Sequence, residues 1–147
     1  MLFKVADTTY AVAASAVHMV DMIDQVTRVP NAPPWVDGLA TVRGQVVPVV
    51  NLRRRFGFET QPFDLQSRLV VVRAGNRFLG LAVDQAREFM NLDLDVLEPP
   101  PDALRSPDND ALEGILNLDG RLILILTPAR LFNIDEEPSW PTTTAAS

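Results

Sequence analysis

The stretch Gly38–Gly57, GLATVRGQVVPVVNLRRRFG, occurs twice in altered form. Its second copy is Gly114–Asn133, GILNLDGRLILILTPARLFN, at a constant offset of 76 positions with no gap. Gly38 falls on Gly114, Arg43-Gly44 on Asp119-Gly120, Asn51 on Thr127, Arg54 on Arg130 and Phe56 on Phe132. Each copy reads as a strand, a tight turn, an apolar strand and a short helix. Two such units must bury two apolar hairpin faces. A half of about 60 residues removes too little surface from water to be robust alone. An apolar seam shared by two similar halves is therefore expected.

The rest of the chain reads as more short strands. Leu2 to Val5 and Tyr10 to Val12 flank a turn at Asp7-Thr8-Thr9, and Val17 to Ile23 follows with imperfect alternation. Val26 to Val29 is brief and β-branched. Pro30, Pro33 and Pro34 then impose a loop, with Trp35 packing it down. Pro48 demotes its strand to an edge, a bulge or a barrel corner. Asn51 is an N-cap and Gly57 a C′ stop for the helix over Leu52 to Phe56. Glu59 to Gln66 is a polar hinge. Leu69 to Val72 is an unbroken apolar run of the buried-strand type. After the Gly75-Asn76 turn come strands over Phe78 to Val83 and Ala86 to Met90. Asn91 to Val96 alternates with period two, as a half-exposed strand does. Pro99 to Pro107 is an irregular loop. Thr127 caps, and Pro128 opens, a last helix over about 128–133, and 136–147 reads as a flexible tail.

About ten short strands with only short helices indicate an all-β barrel or sandwich, and the repeat indicates two similar small barrels. At 147 residues they form one unit, a single domain over 1–135. The first barrel is expected over about 1–60 and the second over about 66–126, with the hinge between.

Composition removes several functions. No cysteine is present, so disulfides, thiolate metal sites and thiol nucleophiles are excluded, as suits a reducing compartment. A net charge of −6 argues against nucleic acid, which needs a basic face. No apolar run approaches the roughly 20 residues that span a bilayer, and the N-terminus is not a signal peptide, so a cytoplasmic protein without direct membrane insertion is expected. The cations are twelve Arg and one Lys, Lys4, which reflects either a GC-rich genome or interface use of the planar fork.

Catalytic sets are equally hard to assemble. His18 is the only histidine, and neither a Ser-His-acid nor a Cys-His arrangement is available. The glycines are scattered singly, so no phosphate loop is present. Asn91-x-Asp93-x-Asp95 resembles the start of a calcium loop, but Val96 occupies the required Gly position and Asp102 the closing Glu. A strand explains its Leu/Asp alternation. Arg53-Arg54-Arg55 reads as a solvated helical face before it reads as a phosphate contact. The expectation is not an enzyme, with no metal and no cofactor.

Several spaced motifs, in order, resemble one family. They are Gly38-x-x-x-x-Arg43-Gly44-x-x-x-Pro48-x-x-Asn51-Leu52-Arg53, Tyr10-x-Val12 with Val17, Gln25-Val26-Thr27-Arg28, Gly80-x-x-Val83-Asp84 and Leu118-Asp119-Gly120-Arg121. From Leu2 to about Phe132 the chain resembles the chemotaxis coupling protein CheW and the CheW-like domains of chemosensory kinases. The resemblance implies two five-stranded SH3-like barrels around a common core. It implies a non-enzymatic adaptor that joins the cytoplasmic tip of a chemoreceptor (a methyl-accepting chemotaxis protein) to the regulatory domain of a CheA-type histidine kinase. Such a protein is cytoplasmic and recruited to membrane receptor arrays. The receptor would sit in the groove between the barrels and the kinase domain at the barrel ends.

The resemblance carries particular residues. Val17, Met19, Arg43 and Gly44 match receptor-groove positions, and Gly38, Gly80, Ala86 and Phe89 match coupling or kinase-interface positions. Each has a purely structural reading too: Gly38 and Gly80 relieve backbone crowding, and Ala86 and Phe89 are core. The chain also departs from the family pattern. Met19 stands where a carboxylate normally partners Arg43, Thr41 replaces Asn and Asn51 replaces Asp. Asp21, two residues on and on the same strand face, is the candidate replacement acid. Two other readings stand beside the bridging adaptor. One is a divergent regulator that binds a single partner in a non-flagellar chemosensory pathway; the other, more remote, is a small-ligand-binding barrel enzyme.

Overall fold

The two copies of the repeat fold alike. In the computed structural model, which describes residues 1–104 and 110–131, strand β4 (Val36–Val42) turns into β5 (Gln45–Asn51), and β9 (Leu112–Leu118) into β10 (Arg121–Leu126). Both tips have two residues with positive φ: Arg43 at 49° and Gly44 at 82°, Asp119 at 53° and Gly120 at 88°. This is the two-residue turn whose twist suits a right-twisted hairpin. Gly38 and Gly114 share a second constraint. A Cβ on Gly38 would stand 2.0 Å from the Thr27 carbonyl oxygen, and one on Gly114 would stand 2.7 Å from that of Glu98. These are the places where Thr27 bridges to Leu39, and Glu98 to Ile115, along the outer edges of β4 and β9.

The remaining strands are β1 (Leu2–Val5), β2 (Thr8–Ala11), β3 (Val17–Met22), β6 (Arg68–Ala74), β7 (Arg77–Val83) and β8 (Gln85–Ala86). They assemble into two five-stranded SH3-like sheets of order β8-β1-β2-β10-β9 and β3-β6-β7-β5-β4. The barrels expected over about 1–60 and about 66–126 are therefore corrected in one respect: consecutive halves do not make separate barrels. The hairpin β1–β2 joins β8, β9 and β10 from the second half, through parallel pairing of β2 with β10. The hairpin β6–β7 joins β3, β4 and β5 from the first half, through parallel pairing of β7 with β5. Each half donates its leading hairpin to the other. Leu2–Val20 corresponds to Val71–Phe89 at a constant shift of 69 positions, so Phe3 opposite Tyr10 matches Val72 opposite Leu79.

The exchange explains why Leu69 to Val72 is apolar throughout. Val70 and Val72 face a core cluster common to both sheets, with Phe3, Val5, Leu52, Leu79, Leu81 and Leu131. Leu69 and Val71 face the interior of their own barrel, with Val47 and Val49. Leu2, Ala11, Leu116, Ile123 and Ile125 fill the other barrel. Burying each large side chain contributes about 1.5–3 kcal/mol relative to exposure. The common cluster therefore makes neither barrel independent of the other.

Several expected elements differ. Pro48 lies in a strand with neighbours on both sides, but one residue before the parallel pairing to β7 begins at Val49, so its missing N–H falls where β5 has one partner. Val26 to Val29 is only the bridge at Thr27. The strand expected over Ala86 to Met90 is the two-residue β8. Asn91 to Val96 is not a strand: Leu94–Val96 forms a 3-10 turn because the Asp93 carboxylate accepts the Asp95 N–H at 3.0 Å. Such local side-chain bonds compete with strand pairing. Asn51 caps helix α1 (Leu52–Arg55) by accepting the Arg54 N–H at 3.4 Å. Thr127 makes no such bond, and the turn after it is a 3-10 segment over Pro128–Arg130. The last part of the helix expected to about 133 and the tail 136–147 lie outside the described residues.

Candidate functional site

The seam between the sheets gathers two residues singled out above. Val17 opens β3 opposite Val72, and Ala86 ends β8 opposite Phe3. Both are half-buried against the common core, and they are equivalent under the 69-position shift. Three positions on, the equivalents Val20 and Phe89 are 38% and 61% exposed. Phe89 is therefore a surface residue and not core. Val20 was not among the expected site residues; its match to Phe89 at the 69-position shift is the signal that finds it. With Met22 and Met90 also exposed, apolar surface flanks the seam on both sides.

Met19 does not reach that surface. A bulge at His18 pairs Val17 with Val72 and Met19 with Val71, so the two side chains face opposite sides although two positions apart. Met19 packs against the interior of its own barrel. His18, at the bulge, lies against Phe78 with ring centroids 4.6 Å apart.

Arg43 and Gly44 are fully at the surface on the β4–β5 tip. Among the described residues Arg43 makes no ion pair or side-chain hydrogen bond. Asp21 shares the Met19 face through its pairing with Leu69, but its carboxylate accepts the Met22 N–H at 2.8 Å. Asp21 is thus not seen holding Arg43. The structure brings Val17 and Ala86 to one core, and leaves Arg43-Gly44 apart at a hairpin end as an unpaired charge.

The two glycines assigned to coupling are buried. Gly38 is required by the approach of Thr27. A Cβ on Gly80 would meet Leu69 Cδ1 at 2.8 Å inside the barrel. Both shape the sheet that carries the surface, and neither presents a side chain to a partner.

The Arg53-Arg54-Arg55 run is not a solvated face. Arg53 donates to both oxygens of Asp84, at 2.9 and 2.6 Å, and to the Glu59 carbonyl at 2.9 Å. The same carboxylate accepts the Ala6 N–H at 2.7 Å, tying the β1–β2 turn to the other sheet. Asp84 holds the Arg53 guanidinium above its ordinary pKa. Arg54 lies 3.7 Å from Asp37. Arg55 donates to the Leu131 carbonyl at 3.0 Å and covers the Trp35 ring at 5.3 Å. Asn51 donates to Asp37 at 3.0 Å, a bond a carboxylate at this position could not donate. The helix is a clamp, which removes it from the ligand-binding candidates.

No group of three or more potential metal-ligating side chains occurs among the described residues, and none of the described helices is long and apolar enough to cross a membrane. The Asp93 and Asp95 pair of the calcium-like motif serves the local turn.

Comparison with known proteins extends these observations over the whole fold. The family model described as the CheW-like domain matches residues 1–136. The chain is 25% identical over 136 residues to the chemotaxis protein CheW of Klebsiella aerogenes, covering 92% of this chain and 82% of that one. It is 28% identical over 135 residues to CheW of Helicobacter pylori, covering 90% and 80%. Among solved structures it resembles the scaffolding protein TtCheW of Thermoanaerobacter tengcongensis, with a TM-score of 0.82, 29% identity and 92% coverage of both chains.

Proposed function

The chain belongs to the CheW-like domain family, and from that premise we propose that it is a non-enzymatic adaptor coupling chemoreceptors to a CheA-type histidine kinase in a chemosensory array. The observation that carries this reading is the family match over 1–136 on a fold with TM-score 0.82 to a CheW scaffold. The finer assignments rest on surface chemistry. Val17 and Val20 offer apolar surface on one side of the seam, suited to the apolar stripe of a receptor helix, and Ala86 and Phe89 carry the coupling or kinase face on the other. Arg43, unpaired at the tip, supplies a charge that orients the partner and gains a carboxylate only in the complex. The receptor's cytoplasmic tip takes the seam, and the kinase regulatory domain takes the barrel ends beside Phe89. Gly38, Gly80 and Gly44 act by shaping the strands, and Met19 by supporting β3 from within. The adaptor works in the cytoplasm and reaches the membrane through its receptor.

Bridging requires both partners at once. A receptor cytoplasmic fragment and a kinase regulatory domain, mixed with the full chain, should give one three-component complex. Binary complexes alone would displace this reading in favour of a regulator that binds a single partner. The inward turn of Met19 favours that second reading, because the chain lacks the family's carboxylate for Arg43.

A further inference from the structure

The two barrels are equivalent in backbone, yet their open ends carry different chemistry. In the β3-β6-β7-β5-β4 barrel the end is occupied by Arg73 opposite Phe78, with His18 against the Phe78 ring at 4.6 Å. Arg73 is turned back onto the Gly75 carbonyl at 3.2 Å. The equivalent positions in the other barrel, at the 69-position shift, are Lys4 opposite Thr9, with Arg87 in place of His18. On β10, Ile123 pairs with Thr9, and Arg121 lies two residues before it on the same face. One barrel end carries a ring-to-ring contact. The other has an open cleft of about 520 Å³ lined by Lys4, Asp7, Thr8, Thr9, Arg87 and Arg121, with Leu122 and Leu124 as its apolar part.

We infer that this cleft binds a small phosphate-bearing anion. Lys4, Arg87 and Arg121 have no carboxylate within salt-bridge distance among the described residues. Among the described residues the Arg87 guanidinium donates only to the neutral Gln85 side chain, at 3.1 Å. With Asp7 the cleft carries two net positive charges on a chain of net charge −6. It also holds the only lysine of the sequence. Three cations and two hydroxyls around one opening match the several acceptor oxygens and multiple charge of a pyrophosphate group, where one carboxylate would leave donors unused. The volume lies within the range of small-ligand sites. Three cations are too few and too local for a nucleic-acid track. The cleft does not include the Arg43 tip, and Arg87, between Ala86 and Phe89, places it at the border of the seam; anion binding by the free chain goes beyond the adaptor reading and is measured without either partner.

The test is calorimetric titration of the full chain with inorganic pyrophosphate at constant ionic strength, beside the Arg87→Gln/Arg121→Gln double variant and, as a control, Arg73→Gln, the counterpart of Lys4 in the other barrel. All three residues lie on the surface or at its edge, and near-ultraviolet circular dichroism verifies folding. Saturable binding that weakens by about tenfold or more in the double variant, and is unchanged in Arg73→Gln, is the expected result. Absence of binding at concentrations on the order of 10 mM, equal loss in Arg73→Gln, or unchanged affinity in the double variant would overturn the inference. A parallel arm uses phosphatidylglycerol vesicles. Cation-dependent binding to vesicles without binding of soluble pyrophosphate would also overturn it, since it would indicate a membrane contact.

Discussion

Asp84→Ala removes one carboxylate that serves two parts of the fold. Arg53, whose side chain is 15% exposed, loses a two-bond ion pair, and the Ala6 N–H loses its acceptor. Leaving the part-buried Ala6 N–H without an acceptor costs about 2 kcal/mol. The stranded guanidinium adds about 1 kcal/mol, well short of the fully buried case, because Asp84 is 30% exposed and Arg53 keeps its bond to the Glu59 carbonyl. The total is about 3 kcal/mol. For a domain of this size, each kcal/mol shifts the midpoint by about 3 °C, so thermal unfolding should fall by about 9 °C. Asp84→Asn keeps an acceptor for Ala6 and should lose roughly half as much. The internal control is Asp110, paired at 3.2 Å with Arg130, both 60% exposed. Asp110→Ala should cost no more than about 0.5 kcal/mol. Scanning calorimetry of the three variants checks the account. An Asp84→Ala midpoint within about 2 °C of the parent would show that the clamp does not join the sheets.

Arg43→Ala should weaken receptor binding by about 1–3 kcal/mol while leaving the midpoint unchanged, because the charge is exposed and pairs with none of the described residues; titration with a receptor fragment reads the first and calorimetry the second, and unaltered affinity removes Arg43 from the site. Gly38→Ala forces a Cβ to 2.0 Å from the Thr27 carbonyl and should destabilise by about 3 kcal/mol or more, seen in denaturant unfolding; full stability with lost coupling would instead make Gly38 a contact residue. Tyr10, the only tyrosine, is pushed up to about 12 by burial. Its raised value means the folded state resists ionisation. That stability is intact below its ordinary value of 10.0 and is lost as pH rises from there toward about 12. Tyrosinate absorbance should therefore lag behind that of a free peptide, and ionisation near the ordinary value with the fold intact would contradict its burial.

The repeat carried most of the fold. Gly38 and Gly114, the two-residue tips and the Leu69 to Val72 run all act through local chemistry that a sequence displays. The hairpin exchange does not, because β1 has the same apolar pattern whichever half supplies its neighbour. Its trace is the second, 69-position correspondence between Leu2–Val20 and Val71–Phe89, which is weak residue by residue. The Asn91 to Val96 period of two misled because Asp93 forms a local turn bond there. Met19 was legible as a departure but not as an inward residue, since one inserted bulge residue reverses the face of everything after it. Arg53 and Asp84 were each visible in motifs. Their pairing spans 31 positions and needed the fold to be seen.

The adaptor assignment makes one demand that no binary interaction can meet. Light scattering after size exclusion, applied to the full chain with a receptor cytoplasmic fragment and a CheA-type regulatory domain, measures it directly. The account predicts a single species whose mass includes all three, and loss of the receptor fragment alone from that species in Arg43→Ala. Separate binary complexes, with each partner displacing the other, would contradict it.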